Sequence, residues 1–151
     1  MEVVILIGLP GAGKSTFYRQ RLASTHAHVS RDNFVNHRNP ARRQAALIED
    51  ALAGGRDVVV DNTNLRAVDR APIIQAARRH GAQVVGYFFL PDVPGCRARN
   101  RMREGRTRVP EVAIYAGMKR LETPSSGEGF DRLLYVRPAG DMGFEVTAAS
   151  D

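Results

Sequence analysis

The sequence predicts an α/β fold, a five-stranded, mostly parallel sheet flanked by helices. Short apolar runs alternate with stretches of helical pattern along the 151 residues. That order gives a parallel sheet covered on both faces. The first apolar run, Val3-Val4-Ile5-Leu6-Ile7, leads straight into Gly8-Leu9-Pro10-Gly11-Ala12-Gly13-Lys14-Ser15-Thr16, which fits G-x-x-x-x-G-K-[ST]. Polar clusters follow three later runs: Ser30-Arg31-Asp32, Asp61-Asn62-Thr63-Asn64 and Pro91-Asp92. Ligands in open parallel sheets bind at the carboxyl ends of the strands, where these clusters fall.

Each element has a local reason. The first run is continuously apolar, as a strand buried on both faces is. Residues 15–23 suit a helix, and 27–29 a short strand. Residues 40–54 read as a helix with Asn39 as cap, Pro40 at its first position and Gly54-Gly55 at its end, the usual start and stop signals. Val58-Val59-Val60 is a buried strand. Residues 65–80 are helical in pattern and closed by Gly81, with Pro72 predicting a kink or a start in two pieces. Residues 83–90 form a strong strand, 92–104 and 110–121 two helices, and 132–136 the fifth strand. The tail after Pro138 is small and polar, with one further strand candidate at 144–146.

Length suits one domain. With 43% hydrophobic and 25% charged residues, the chain is not of the disordered class. No apolar run reaches membrane-spanning length, and no signal peptide is visible at the start. Cys96 is the only cysteine, so no internal disulfide forms. Both points favour a reducing, cytoplasmic setting. The net charge of +6 is unevenly spread, since Arg97, Arg99, Arg101, Arg103, Arg106 and Arg108 lie close together. Such a cluster suits nucleotide phosphates, a nucleic acid backbone, or simply a solvated face.

The glycine segment predicts a phosphate-binding loop. Strand, loop and helix together aim backbone N–H groups and a helix N-terminus at an anion. Gly8, Pro10, Gly11, Ala12, Gly13, Lys14, Ser15 and Thr16 would cradle ATP, with Lys14 on the β- and γ-phosphates and Ser15 on Mg²⁺. Asp61 ends a hydrophobic strand, a position that places a carboxylate near Mg²⁺. Asp32 ends the short second strand. It would face the γ-phosphate as general base, or cap the next turn. Arg31, Asn62, Thr63 and Asn64 would line the acceptor site or form a plain loop. Arg66 and Arg70 share a helix face, and either would hold substrate phosphate or pair locally, Arg70 with Asp69. The basic, Gly105-containing stretch at about 99–109 is suited to be a lid, with Arg99 and Arg103 as nucleotide contacts. The four histidines lack metal spacing, and His26 and His28 read as a chance pair.

The set Gly8 to Thr16, Arg31-Asp32, Asp61-Asn62-Thr63-Asn64, Asn100-Arg101-Met102-Arg103-Glu104, Val109-Pro110 and Glu128-Gly129-Phe130 resembles the kinase domain of polynucleotide 5′-kinases. The resemblance runs in order over roughly residues 3–136. It implies a P-loop NTPase fold of kinase type, one domain over 1–151 with an Arg-rich lid, and transfer of the γ-phosphate of Mg-ATP to a 5′-hydroxyl end of DNA or RNA. It also implies Asp32 as general base, Lys14 and Ser15 on the phosphates and metal, Arg103 as the lid arginine, and a substrate role for Arg70. Some relatives carry an acceptor-gripping arginine three residues after the base. Val35 stands there, and Arg38, one turn on, is the candidate replacement. Members of the family also carry phosphatase or ligase domains that these residues do not include, which leaves room for a separate phosphatase or ligase as partner. Two alternatives share the frame: a kinase of a sugar, nucleoside or antibiotic hydroxyl, and a non-catalytic ATP-binding protein.

Overall fold

The computed structural model describes residues 1–149, so the last two residues of the polar tail lie outside it. The described residues form β1 (Glu2–Ile7), α1 (Lys14–Arg21), β2 (Ala27–Val29), α2 (Pro40–Ala53), β3 (Val58–Asp61), α3 (Ala67–Arg79), β4 (Gln83–Phe89), α4 (Val93–Arg101), α5 (Glu111–Arg120), β5 (Arg132–Ala139) and β6 (Gly143–Ala148). The sheet order is β2-β3-β1-β4-β5-β6. The first five strands pair in parallel, and β6 pairs antiparallel with β5. β1 therefore lies between β3 and β4, where the chain switches from one half of the sheet to the other. That switch point opens a crevice at the carboxyl edge.

The continuous apolar run of β1 is explained by burial on both faces. Val3, Ile5 and Ile7 join a core with Ile48 and Leu52 of α2 and Ile73 and Ala77 of α3. Val4 and Leu6 join a second core with Phe17 of α1, Cys96 of α4 and Ile114 of α5. Each fully buried aliphatic side chain contributes about 1.5–3 kcal/mol over an exposed one.

Most elements start and stop where the sequence signals them. The Asn39 side chain accepts from Arg42 N, with Pro40 at the start of α2. Asp92 caps α4 by accepting from Gly95 N, which accommodates Pro94 and Gly95 in the first turn. Proline is harmless there because first-turn amides have no helical acceptor. α3 runs through Pro72 as one helix.

One expectation is corrected. The sheet has six strands, not five, because the chain after Pro138 turns back as a hairpin. Asp141 and Met142 supply the left-handed backbone of the turn (φ 59° and 61°) between Gly140 and Gly143. Two-residue hairpin turns of this hand usually carry Asn-Gly or Asp-Gly, so Asp-Met gives a weak sequence signal. β6 is held by Phe144, which packs edge-on against Phe17 and Phe89. Among the described residues no helix is long and apolar enough to cross a membrane.

Candidate active site

The phosphate loop hangs from the end of β1 and is tied to its neighbours. Gly8 N donates to Thr63 O (3.0 Å) and Ala12 N to Leu9 O (3.1 Å). Gly11 has φ 81°, and a Cβ there would lie 2.6 Å from the Cys96 carbonyl oxygen of α4. Gly13 caps α1 in a left-handed conformation (φ 99°), and no side chain caps the amides that follow. Those first-turn amides have no helical acceptors, and with the helix dipole they favour an anion. The loop is thus a preformed cradle whose open donors fit nucleotide phosphates.

Lys14 is 8% exposed. Its Nζ donates to the carbonyls of Gly8 (2.8 Å) and Leu9 (2.7 Å). Burial brings its pKa down from 10.5 to about 8, and Arg103 pushes the same way, while Asp61, Cys96 and Asp32 oppose the shift. These charges act on Lys14 because the fold gathers them around it from four separate segments.

The Ser15 hydroxyl donates to Asp61 Oδ2 at 2.9 Å. Asp61 is 5% exposed, placed by the register that pairs it with Leu6 across β3 and β1. The same oxygen lies 2.9 Å from His28 Nε2, and the His28 ring stacks on Tyr18 at 4.0 Å. Ser15 and Asp61 therefore meet at the start of α1, where an oxygen-rich pair fits a hard divalent cation.

On the β2 side, Ser30 ends the strand with its hydroxyl accepting from Asp32 N (3.3 Å), starting a 3-10 turn over Arg31–Phe34. Arg31 N donates to Asn62 Oδ1 (2.9 Å), and Asn62 Nδ2 donates to Gln44 Oε1 (2.8 Å). Arg31 Nε donates to that same Gln44 oxygen (3.0 Å). The turn carrying Asp32 is thus pinned to the loop after β3. Among the described residues the exposed Asp32 carboxylate has no hydrogen-bond or ion-pair partner.

The arginine cluster divides by role. Arg99 Nε donates to Gly11 O (2.6 Å), joining α4 to the phosphate loop. Arg103 lies close enough to bear on Lys14 and donates to Thr107 O (3.2 Å). Arg97 and Arg101 both pair with Glu111. Arg106 and Arg108 are exposed, with no side-chain partner among the described residues. The Arg-rich segment is anchored by Asn100, which is fully buried. Its Nδ2 donates to Val109 O (2.8 Å) and its Oδ1 accepts from Val109 N (3.0 Å). Residues 102–108 thus form a segment closed at its base.

The other candidates are placed by their contacts. Arg70 is enclosed in the fold and paired within it. It is 0% exposed and pairs with both carboxylate oxygens of Glu128 (2.8 and 3.1 Å). It also donates to the carbonyls of Asn64, Leu65 and Glu122, while Asp69 pairs with Arg66 instead. Asn64 is buried with φ 47° and donates to Leu6 O (2.8 Å), so it props the loop instead of lining the site. Thr63 supports the phosphate loop through its carbonyl, and Asn62 positions the Asp32 turn. Arg38 stands in an exposed connector with no partner among the described residues, two residues before α2.

The AAA domain family model matches residues 3–124. The chain belongs to that family. The Arabidopsis thaliana protein named transcription factor bHLH140 is 28% identical over 151 residues, covering 93% of this chain and 16% of its own length. The bifunctional polynucleotide phosphatase/kinase of Schizosaccharomyces pombe is 27% identical over 133 residues, covering 85% of this chain and 32% of its own. This AAA-family chain therefore spans a third or less of the curated relatives it matches. In structure it is similar to a fungal RNA kinase, with TM-score 0.68, 15% identity, and coverage of 99% of this chain and 39% of that one. It is also similar to a gluconokinase from Sinorhizobium meliloti 1021, with TM-score 0.65, 20% identity, and coverage of 90% and 82%. The fold is thus that of P-loop kinases.

Several residues that shape this site have no motif. Gly117 lets α5 approach the loop, since a Cβ there would lie 3.3 Å from Leu9. Phe144 sits under Gly13 from 131 residues away in the chain. His28 and Gln44 each complete a polar contact across the sheet edge. Only the alternation of polar and apolar residues in Ala27-His28-Val29 hints at any of them.

Lys14 carries a pH prediction. Its charged form is disfavoured by burial and favoured by bound phosphate. ATP binding is therefore expected to weaken as pH rises past about 8, with proton uptake on binding above that value. Titration calorimetry in buffers of different ionisation heat checks this, and Lys14→Met should bind more weakly with a flat pH profile. In the ligand-free protein the folded chain releases this proton before the unfolded chain does. Lys14 therefore costs stability at neutral pH, and the fold gains stability between about 8 and 10.5.

Proposed function

We propose that the chain is a Mg-ATP-dependent phosphotransferase that moves the γ-phosphate to a 5′-hydroxyl end of a polynucleotide. One observation carries this reading. An unpartnered carboxylate, Asp32, is held at the end of β2 within electrostatic reach of the phosphate-loop Lys14. A donor cradle on one side and a free base on the other is the minimum that phosphoryl transfer to a hydroxyl requires. The polynucleotide acceptor is supported by the name of the yeast relative and by the positive balance of +6.

The phosphate loop and the amides of α1 bind and orient the triphosphate. Lys14 exchanges its carbonyl partners for phosphate oxygens. Ser15 and Asp61 would hold Mg²⁺, which when bound neutralises charge on the β- and γ-phosphates. Asp32 accepts the proton of the attacking hydroxyl. Arg103 faces the charge that spreads over the transferring group, and the lid over 102–108 excludes water.

A small-molecule acceptor is the second reading, favoured by the likeness to a gluconokinase over most of both chains. Incubation with γ-labelled ATP, Mg²⁺ and a 5′-hydroxyl oligonucleotide, beside gluconate and a panel of nucleosides, separates the two. Label on the oligonucleotide end supports the proposal. Label only on a small molecule replaces it with the second reading, and ATP turnover with no labelled acceptor overturns both.

A further inference from the structure

A cavity of about 330 Å³ lies between α2 and α3, near the lower end of the roughly 300–1,000 Å³ usual for small-ligand sites. Ala41 and Ala45 of α2 face Val68 and Pro72 of α3 across it, and Arg31 and Gln44 also line it. Arg31 is the residue before Asp32, so the cavity reaches the edge where the candidate base stands.

Its polar lining comes from Arg31, Gln44 and Glu49 on one side and Asp69, Gln75 and Arg79 of α3 on the other. Gln44 is 8% exposed. Its Oε1 is already taken by Arg31 and Asn62. Its Nε2 has no partner among the described residues, yet it is not among the atoms sealed from solvent. The Arg31 terminal nitrogens are likewise unpartnered among the described residues. The cavity therefore offers donors at this end. Its two carboxylates are already neutralised, Glu49 by Arg79 and His80 and Asp69 by Arg66. The ligand that fits is flat, apolar on its faces and rich in acceptors on its edge. Every nucleobase has an acceptor on its minor-groove edge. Beyond the mouth, Arg38 and Arg42 are exposed cations without side-chain partners among the described residues, suited to the phosphates that follow.

We propose that the α2–α3 cavity seats the nucleobase at the 5′ end of the acceptor strand, with Gln44 Nε2 and Arg31 donating to its edge. The proposal rests on the polynucleotide reading above and adds to it where the acceptor binds. Because one or two donors meet an acceptor common to all bases, binding here is tolerant of sequence.

The test compares phosphorylation of an oligonucleotide with an intact 5′-terminal nucleotide and one whose 5′-terminal nucleotide is abasic. In the wild-type chain, removing the base should raise the KM for the oligonucleotide about tenfold. Ala45→Phe, at an exposed position of α2 that lines the cavity, fills it. It should raise the KM for the intact substrate by a similar factor and erase the difference between the two substrates. The KM for ATP reports that the donor half is intact. Equal KM values for both oligonucleotides in the wild type, or a difference that survives in Ala45→Phe, would overturn the proposal while leaving a 5′-kinase in place. Label on neither oligonucleotide would overturn this proposal together with the polynucleotide reading.

Discussion

Asp32→Asn is expected to lower kcat by about 10²- to 10⁴-fold, the usual contribution of a general base, with ATP binding retained. The substitution is isosteric, and the fold asks nothing of the carboxylate. The turn is started by the Asp32 main-chain amide on Ser30 Oγ and pinned by Arg31 and Asn62, none of which the change removes. The donor cradle belongs to another segment. One electrostatic side effect has a known sign. Asp32 raises the Lys14 pKa, so its loss lowers that value further. The comparison therefore belongs well below pH 8 and is repeated at a second, lower pH. Rapid-quench measurement of the transfer step, beside calorimetric ATP affinity, reads the two effects apart. A kcat within threefold of wild type would remove Asp32 from the chemistry.

Arg70→Ala is expected to destabilise the fold by about 3–5 kcal/mol, the range for removing one partner of a buried ion pair. Against a total of about 5–15 kcal/mol for a domain, that leaves little. The size follows from what is stranded. Glu128 loses the bidentate partner that its side chain, 17% exposed, was folded against. The carbonyls of Asn64, Leu65 and Glu122 lose donors as well. Replacing both members of the pair with apolar residues, Arg70→Met with Glu128→Leu, should recover only part of the loss. It removes the orphaned charge but leaves the three carbonyls unpaired. Urea denaturation of the single and double variants gives the comparison. A loss under 1 kcal/mol for Arg70→Ala would show that the loop keeps its place without the guanidinium.

Arg70 also shows where sequence reading stops. Its spacing from Arg66 placed it correctly on a helix, but spacing does not say what a helix face meets. Glu128 is 58 residues away, and the contact exists only because α3 packs beside the segment after α5. Asn62 and Asn64 divide for a similar reason. Consecutive polar residues after a strand look alike in sequence. In the fold one turns outward to the Asp32 turn, and the other turns inward under β1 with a left-handed backbone. The sixth strand, only a candidate over 144–146 in the sequence, has a weak signal for a local reason as well, since an Asp-Met turn carries little of the glycine signal that marks a hairpin.

By itself the sequence determined what depends on short stretches of chain. That covers the alternation of strands and helices, the cap at Asn39, and a glycine loop with a lysine and a helix start behind it. Dihedral preference, hydrophobic period and orphan amides act over a few residues, so they can be read along the chain. Only the tertiary structure decided which polar residues meet. Ser15 reaches Asp61 across 46 positions, Arg99 reaches Gly11 across 88, and Gln44 joins Arg31 to Asn62 beside a cavity between two helices. Those contacts depend on strand order and helix packing, which the buried faces of the whole sheet set together.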